Sequence, residues 1–194
     1  MTNLISLVRA GEGVEYELLE RLAGALEEAL RLPCQVERGI VEVADFYDPD
    51  RRQLRADLLL KKLADGADAG ETRRLGVTAQ DLFLPVLTHV FGAGQLTGNC
   101  AVVSLYRLRE EAYGLPHSQP LLEERLLKEA LHELGHTAGL RHCSVWQCVM
   151  SCSNGVELVD LKAARYCPHC HSTLQRAFQG HSTVGQAHPG QMNS

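Results

Sequence analysis

Apolar positions recur along the chain with two periods, and the switches between them lay out the elements. Residues 3–9 (NLISLVR) are rich in Leu, Ile and Val and predict a first strand. Over 14–31, Leu18, Leu19, Leu22, Ala25, Leu26 and Leu30 fall at helical spacing, and Pro33 ends that helix. Residues 34–43 predict a second strand. Tyr47-Asp48-Pro49 marks a turn, after which Leu54, Leu58, Leu59 and Leu63 predict an amphipathic helix over 50–64. A polar loop at 65–72 leads to a third strand at 74–77. Residues 86–91 and 101–106 predict two more strands, joined by a glycine-rich connection at 92–98. The order β-α-β-α-β-β-β defines an α/β (α+β) unit with a mixed twisted sheet. A long helix follows at 121–138. Beyond Gly139 only short helices are expected, at 157–166 and after Cys170. Residues 180–194, uncharged and rich in Gly, His, Gln and Ser, predict a mobile tail. One domain is thus expected over 1–179, with an upper part at 1–139 and a lower part at 140–179.

Composition narrows the function. With 24 acidic against 19 basic residues the net charge is −5, and no basic run exceeds pairs such as Lys61-Lys62, which argues against a nucleic-acid partner. The 25 residues from Leu82 to Tyr106 carry no Asp, Glu, Lys or Arg. They nevertheless hold Pro85, His89, Gln95, Thr97, Asn99 and three glycines, so no membrane span is expected there. The apolar start at 4–8 is too short for a secretion signal, and a cytoplasmic protein is expected. Seven cysteines is an odd number, and five of them crowd into the 28 residues from Cys143 to Cys170. Such clustering points to metal rather than to disulfides.

Residues 132–142 read H-E-L-G-H-T-A-G-L-R-H. On a helix His132 and His136 stand one above the other, with Glu133 roughly 100° round from His132. Leu127, Ala130, Leu131, Leu134 and Ala138 fall on the opposite, core-facing side. Gly139 permits a sharp exit that brings His142 back as a third imidazole. Three neutral imidazoles with a fourth position open describe a catalytic zinc, which lowers the pKa of bound water towards about 7. Glu133 beside them can take the proton from that water. The alternative for H-E-x-x-H alone is two solvated histidines beside an ion-pairing glutamate. Gly139 and His142 at the further spacing weigh against it. Met150, eight residues past His142, fits a turn passing beneath the metal.

Cys143 and Cys148 pair with the C-x-x-C of Cys167 and Cys170 as two knuckles suited to a tetrahedral Cys₄ zinc. A redox pair is the other use of C-x-x-C, and it lacks a thioredoxin-like βαβ setting here. Cys152 reads as a small buried or half-buried thiol. His169 and His171 read as outer groups, Cys34 and Cys100 as core cysteines, and His89 and His117 as structural.

The extended histidine motif with a downstream Met resembles the metzincin clan of zinc peptidases. Cys143, Cys148, Met150 and Cys167-Pro168-His169-Cys170 narrow the resemblance to the archaemetzincin family. Tyr47-Asp48-Pro49 with Arg52, Gly76-Val77-Thr78 with Asp81-Leu82-Phe83, Val90-Phe91-Gly92 and Lys128-Glu129-Ala130 are similar to it as well, so the resemblance spans roughly residues 3–175. It departs in two places: sixteen residues separate Met150 from Cys167, one fewer than the family's spacing, and Cys152 stands where related chains often carry an aromatic. The resemblance implies a compact metzincin-like fold, a mixed sheet over helices with a zinc-stapled lower part. It implies two zinc ions per chain, one catalytic on His132, His136 and His142 with Glu133 as general base, and one structural. The function implied is a zinc-dependent metallopeptidase acting, as a monomer, on a peptide or protein substrate. That substrate is expected to pair with an edge strand around 99–104. The alternative is a two-zinc peptide- or protein-binding module with little or no turnover; it has no use for Glu133.

Overall fold

The computed structural model describes residues 4–66 and 72–179; the tail expected at 180–194 lies outside the described residues. The first strand, β1 (Leu4–Ala10), alternates its side chains between two cores, as an extended chain must. Ile5 and Leu7 face one and Val8 and Ala10 the other. Helix α1 (Tyr16–Leu30) buries Leu18, Leu19, Leu22 and Leu26 in the first core. It ends where Arg31 turns left-handed at φ 56°, with its N–H on Glu27 O, ahead of Pro33. Strand β2 (Cys34–Val41) then pairs parallel to β1. Burial pushes the Cys34 thiol up to about 12, in keeping with a packing role.

The stretch expected as a helix from residue 50 differs. Asp48 Oδ1 accepts the N–H groups of Asp50 and Arg51 at 3.0 Å, and Arg52 sits at φ 56°. This turn folds β3 (Tyr47–Asp48) back on β4 (Gln53–Arg55), and α2 begins only at the next residue (Ala56–Asp65). Local side-chain bonding to the backbone thus wins over helix spacing. Strand β5 (Thr72–Thr78) joins β1 in parallel, and β6 (Leu82–Phe83) joins β4.

The next expectation is reversed. Residues 86–91 are a connection rather than a strand, tied to the sheets by the Leu82–Val90 bridge and by the Ser104 N–H on Phe91 O at 2.8 Å, whereas the glycine-rich segment supplies strand β7 (Gly92–Gly94). Strand β8 (Cys100–Ser104) is buried throughout and paired on both sides. The main sheet runs β2-β1-β5-β8-β7, parallel except for β7. The edge strand expected around 99–104 is therefore interior, and the edge is β7.

Helix α3 (Gln119–Thr137) packs with α1 on one face of the sheet while Leu59 and Leu63 of α2 fill the core on the other. Arg125 anchors it: 3% exposed, it holds Asp160 through Nε and Nη2 at 2.6 and 2.7 Å, and Glu110 and the Leu108 carbonyl through Nη1. A buried guanidinium satisfied on this many sides is costly to disturb. The lower part holds α4 (Val156–Leu161), shorter than expected because Lys162 turns extended at ψ 155° to send its side chain inward. Helix α5 (Pro168–Gln179) starts before Cys170 rather than after it.

Candidate metal centre

The last turn of α3 closes as its sequence demands. Gly139 takes φ +87°, its N–H bonds His136 O at 2.9 Å, and Leu140 N–H reaches back to Gly135 O at 3.0 Å. This is the paired-bond exit that glycine makes cheap. The chain then returns His142 to the helix, with ring centroids 5.3 and 5.2 Å from those of His132 and His136. Ligand nitrogens of the three imidazoles lie within 4.8 Å of one another.

The hydrogen bonds decide which nitrogens are free. His132 Nδ1 stands 2.8 Å from Val149 O, and His136 Nδ1 stands 2.8 Å from Leu140 O. A carbonyl only accepts, so each Nδ1 carries the proton and each Nε2 presents a lone pair. Those two Nε2 atoms face each other at 3.1 Å. Two lone pairs that close repel unless a cation sits between them, so the donor set fits a metal ion. Burial, foremost, together with Lys162 and the other imidazoles, holds the His132 ring well below its usual value and in the neutral form a metal needs.

Glu133 points beside the ligands. It is 5% exposed, and burial first, then the Glu129 carboxylate, push its pKa well above the usual range, with Lys162 opposing. Glycines make room for it. A Cβ on Gly92 would sit 2.7 Å from Glu133 Cγ, and one on Gly94 would sit 2.5 Å from Glu133 O. These close approaches explain why a strand could hide in a segment that reads as loop. Beneath α3, Met150 is fully buried against Gly135, and a Cβ there would overlap Met150 Sδ. Gly135→Ala is therefore expected to destabilise the protein by about 1–3 kcal/mol through overpacking. Thermal unfolding of the zinc-loaded variant checks this; an unchanged Tm would remove the close packing argued for.

The four thiols Cys143, Cys148, Cys167 and Cys170 have sulfurs within 4.8 Å of one another, with Cys143 Sγ 3.8 Å from Cys167 Sγ. They sit on the chain that follows His142, on residues 148 and 167, and in the first turn of α5. The Cys170 backbone N–H, above all, lowers Cys167 to about 7, whereas burial pushes Cys148 and Cys170 up. Four sulfurs so close cannot all ionise unaided, and a divalent soft cation is what such a set accommodates. The two centres share one loop. Cys143 N–H donates to Met150 O at 2.9 Å, and Val149, whose carbonyl holds His132, donates its N–H to Arg165 O.

A cleft of roughly 410 Å³ opens over the histidines. Its walls are β7, the connection at 84–91 and residues 152–154. Arg51 stacks over Phe83 at 4.1 Å and donates to the carbonyls of Leu87 and Thr88, bracing one wall. Two expectations change here. Cys152 is exposed on the cleft rather than half-buried, and His89 lines it rather than serving the core. His169 and His171 are exposed, as read. The sequence reading passed over Gly135, Lys162 and Tyr166, whose hydroxyl donates to Leu131 O at 2.6 Å. A glycine between two histidines on a helix was the signal for the first; the other two leave none.

Fold and site together define the class, and comparison with known proteins agrees. The model of Peptidase family M54 matches residues 30–176, and the chain belongs to that family: it is a zinc metallopeptidase. Within the class its relatives are archaemetzincins. The archaemetzincin of Methanocaldococcus jannaschii is 46% identical over 162 residues, which is 84% of this chain and 88% of that one. The crystal structure of archaemetzincin from Methanopyrus kandleri superposes with a TM-score of 0.77 at 34% identity, covering 92% of this chain and 96% of that one. That from Archaeoglobus fulgidus, complexed with malonate, gives 0.75 at 32% identity over 88% and 99%. Among the described residues no helix is long and apolar enough to cross a membrane.

Proposed function

We propose that the chain hydrolyses peptide bonds at a zinc held by His132, His136 and His142, with Glu133 as general base, and keeps a second, structural zinc on Cys143, Cys148, Cys167 and Cys170. The observation that carries the reading is the pair of Nε2 lone pairs facing at 3.1 Å with a buried carboxylate alongside. When bound, the catalytic zinc supplies Lewis acidity to the scissile carbonyl and to the attacking water. The rest falls to the chain. Glu133 takes the water proton and hands it to the leaving amine nitrogen, a task favoured by a carboxyl whose proton affinity is raised. The Val149 and Leu140 carbonyls hold the two helix imidazoles in the metal-binding tautomer. Gly139 lets the third return, and Met150 supports the helix from below. The free edge of β7 offers backbone groups to an extended peptide.

Both ligand sets and the cleft come from one chain, so a monomer is the working unit of this reading. The four thiols stay available as ligands in a reducing compartment, which supports a cytoplasmic setting for this reading. Native mass spectrometry is expected to find two zinc ions per chain, and a fluorogenic peptide library to be cleaved, silenced by chelator and restored by zinc. A protein that retains one zinc regardless of substitution at His132, His136 or His142 would remove the catalytic centre.

A further inference from the structure

We propose that the cleft continues past Glu133 into a side-chain subsite, floored by Glu129, that selects a basic residue on the amine side of the scissile bond and turns acidic residues away. This rests on the peptidase reading above and names what that site accepts.

Position comes first. Going up β7 is going up α3: Gly92 abuts Glu133, and Gly94 abuts His136. The residues before β7 are therefore level with the helical turn before Glu133. That turn presents Glu129, which lines the cleft together with His89 of the 84–91 connection and Asn154 of the lower wall. If Glu133 delivers a proton to the leaving amine, the residue that owns that nitrogen lies on the Glu133 side. Its side chain then points along the helix towards Glu129.

Charge comes second. Among the described residues the cleft lining contains no Lys or Arg, and its formal charges are the carboxylates of Glu129 and Glu133. Glu129 is as buried as the base itself, at 3% exposed against 5%. Its cationic partner is Lys162, whose Nζ stands 2.7 Å from Oε1 and whose side chain is only 1% exposed, on the protein side of the carboxylate. Oε2 has no hydrogen-bond partner among the described residues. The pair therefore presents its negative end to the cleft. His89 reinforces that bias: burial, and then Arg107, hold its pKa below the usual value, so at neutral pH the ring adds no positive charge. A lysine or arginine side chain finds an acceptor here. A carboxylate entering the subsite meets the buried Glu129 carboxylate, with no Lys or Arg in the described lining to offset it, and such like-charge juxtaposition is costly in a partly desolvated site.

The test uses zinc-loaded full-length protein and matched fluorogenic peptides differing only in the residue after the scissile bond: Lys, Arg, Gln, Leu or Glu. Lys and Arg peptides are expected to exceed the Glu peptide in kcat/KM by at least about tenfold. Removing Glu129 alone strands Lys162, so the informative variant is Glu129→Gln with Lys162→Met. In it the Lys-to-Glu ratio is expected to fall towards one. A wild-type protein that cleaves the Glu peptide as fast as the Lys peptide, or a folded double variant with the wild-type ratio, overturns the assignment. The same peptides are also titrated onto zinc-loaded Glu133→Gln by fluorescence anisotropy. If nothing is cleaved, the peptidase reading fails, and the subsite is judged on that binding order alone: Lys and Arg tighter than Glu supports it, and equal or absent binding overturns it.

Discussion

Replacing Glu133 with Gln is expected to cut peptide hydrolysis by about 10²–10⁴-fold while leaving zinc content unchanged. Gln keeps the shape of a side chain that packs against the bare backbone of Gly92, so the fold and the three imidazoles should not move. What disappears is the group that burial and the Glu129 charge give an unusual hold on a proton. Glu133 also stands outside the set of close ligand nitrogens, which is why metal should stay. Peptidase rate and metal analysis on one preparation decide it. A variant with the wild-type rate puts the base elsewhere, and a variant that loses zinc makes Glu133 a ligand.

Cys167→Ser is expected to lose one of two zinc ions, lower the Tm and reduce activity by about tenfold or more, although it touches no histidine. The route is short. Cys143 follows His142 directly and bonds Met150 O, Met150 packs on Gly135, and the neighbouring Val149 carbonyl holds the His132 ring. Slackening the thiol cluster therefore loosens the carbonyl that holds the His132 ring and the backbone next to His142. If Cys167 merely packs, Ser costs a little stability and zinc content stays the same. Cys152→Ser is the control: that thiol is exposed on the cleft, away from the other sulfurs, and should keep both metals. Full zinc and full activity in Cys167→Ser, or zinc loss in Cys152→Ser, overturns the ligand assignment.

The grouping of the candidate ligands was legible because it is written in local spacing. His132 and His136 meet on one helix face by periodicity, and Gly139 marks the helix exit that brings His142 back. The α/β alternation was legible for the same reason, down to Ile5 and Leu7 facing one core and Val8 and Ala10 the other. What failed was whatever depends on a distant neighbour. Residues 50–55 lead into the helical spacing of Leu54, Leu58, Leu59 and Leu63, yet the Asp48 carboxylate captured the N–H groups of Asp50 and Arg51. Gly92 and Gly94 looked like a loop because the reason for their bareness, α3 lying against them, is some forty residues away. Lys162 leaves no signature at all, since its partner Glu129 sits on another helix.

The bareness of β7 also bears on how the enzyme could be re-engineered. A library randomised at Gly92, Ala93 and Gly94 would mostly return unfolded clones, because each new methyl at the glycines collides with backbone or with the Glu133 side chain. Whatever lies along that edge meets the same main-chain ladder in every variant that survives. Retuning therefore belongs at the ends of the groove, on residues 87–89 and 152–154, where side chains project from connections rather than from packed elements. Directed evolution begun there would explore selectivity without first spending its mutations on rescuing the scaffold.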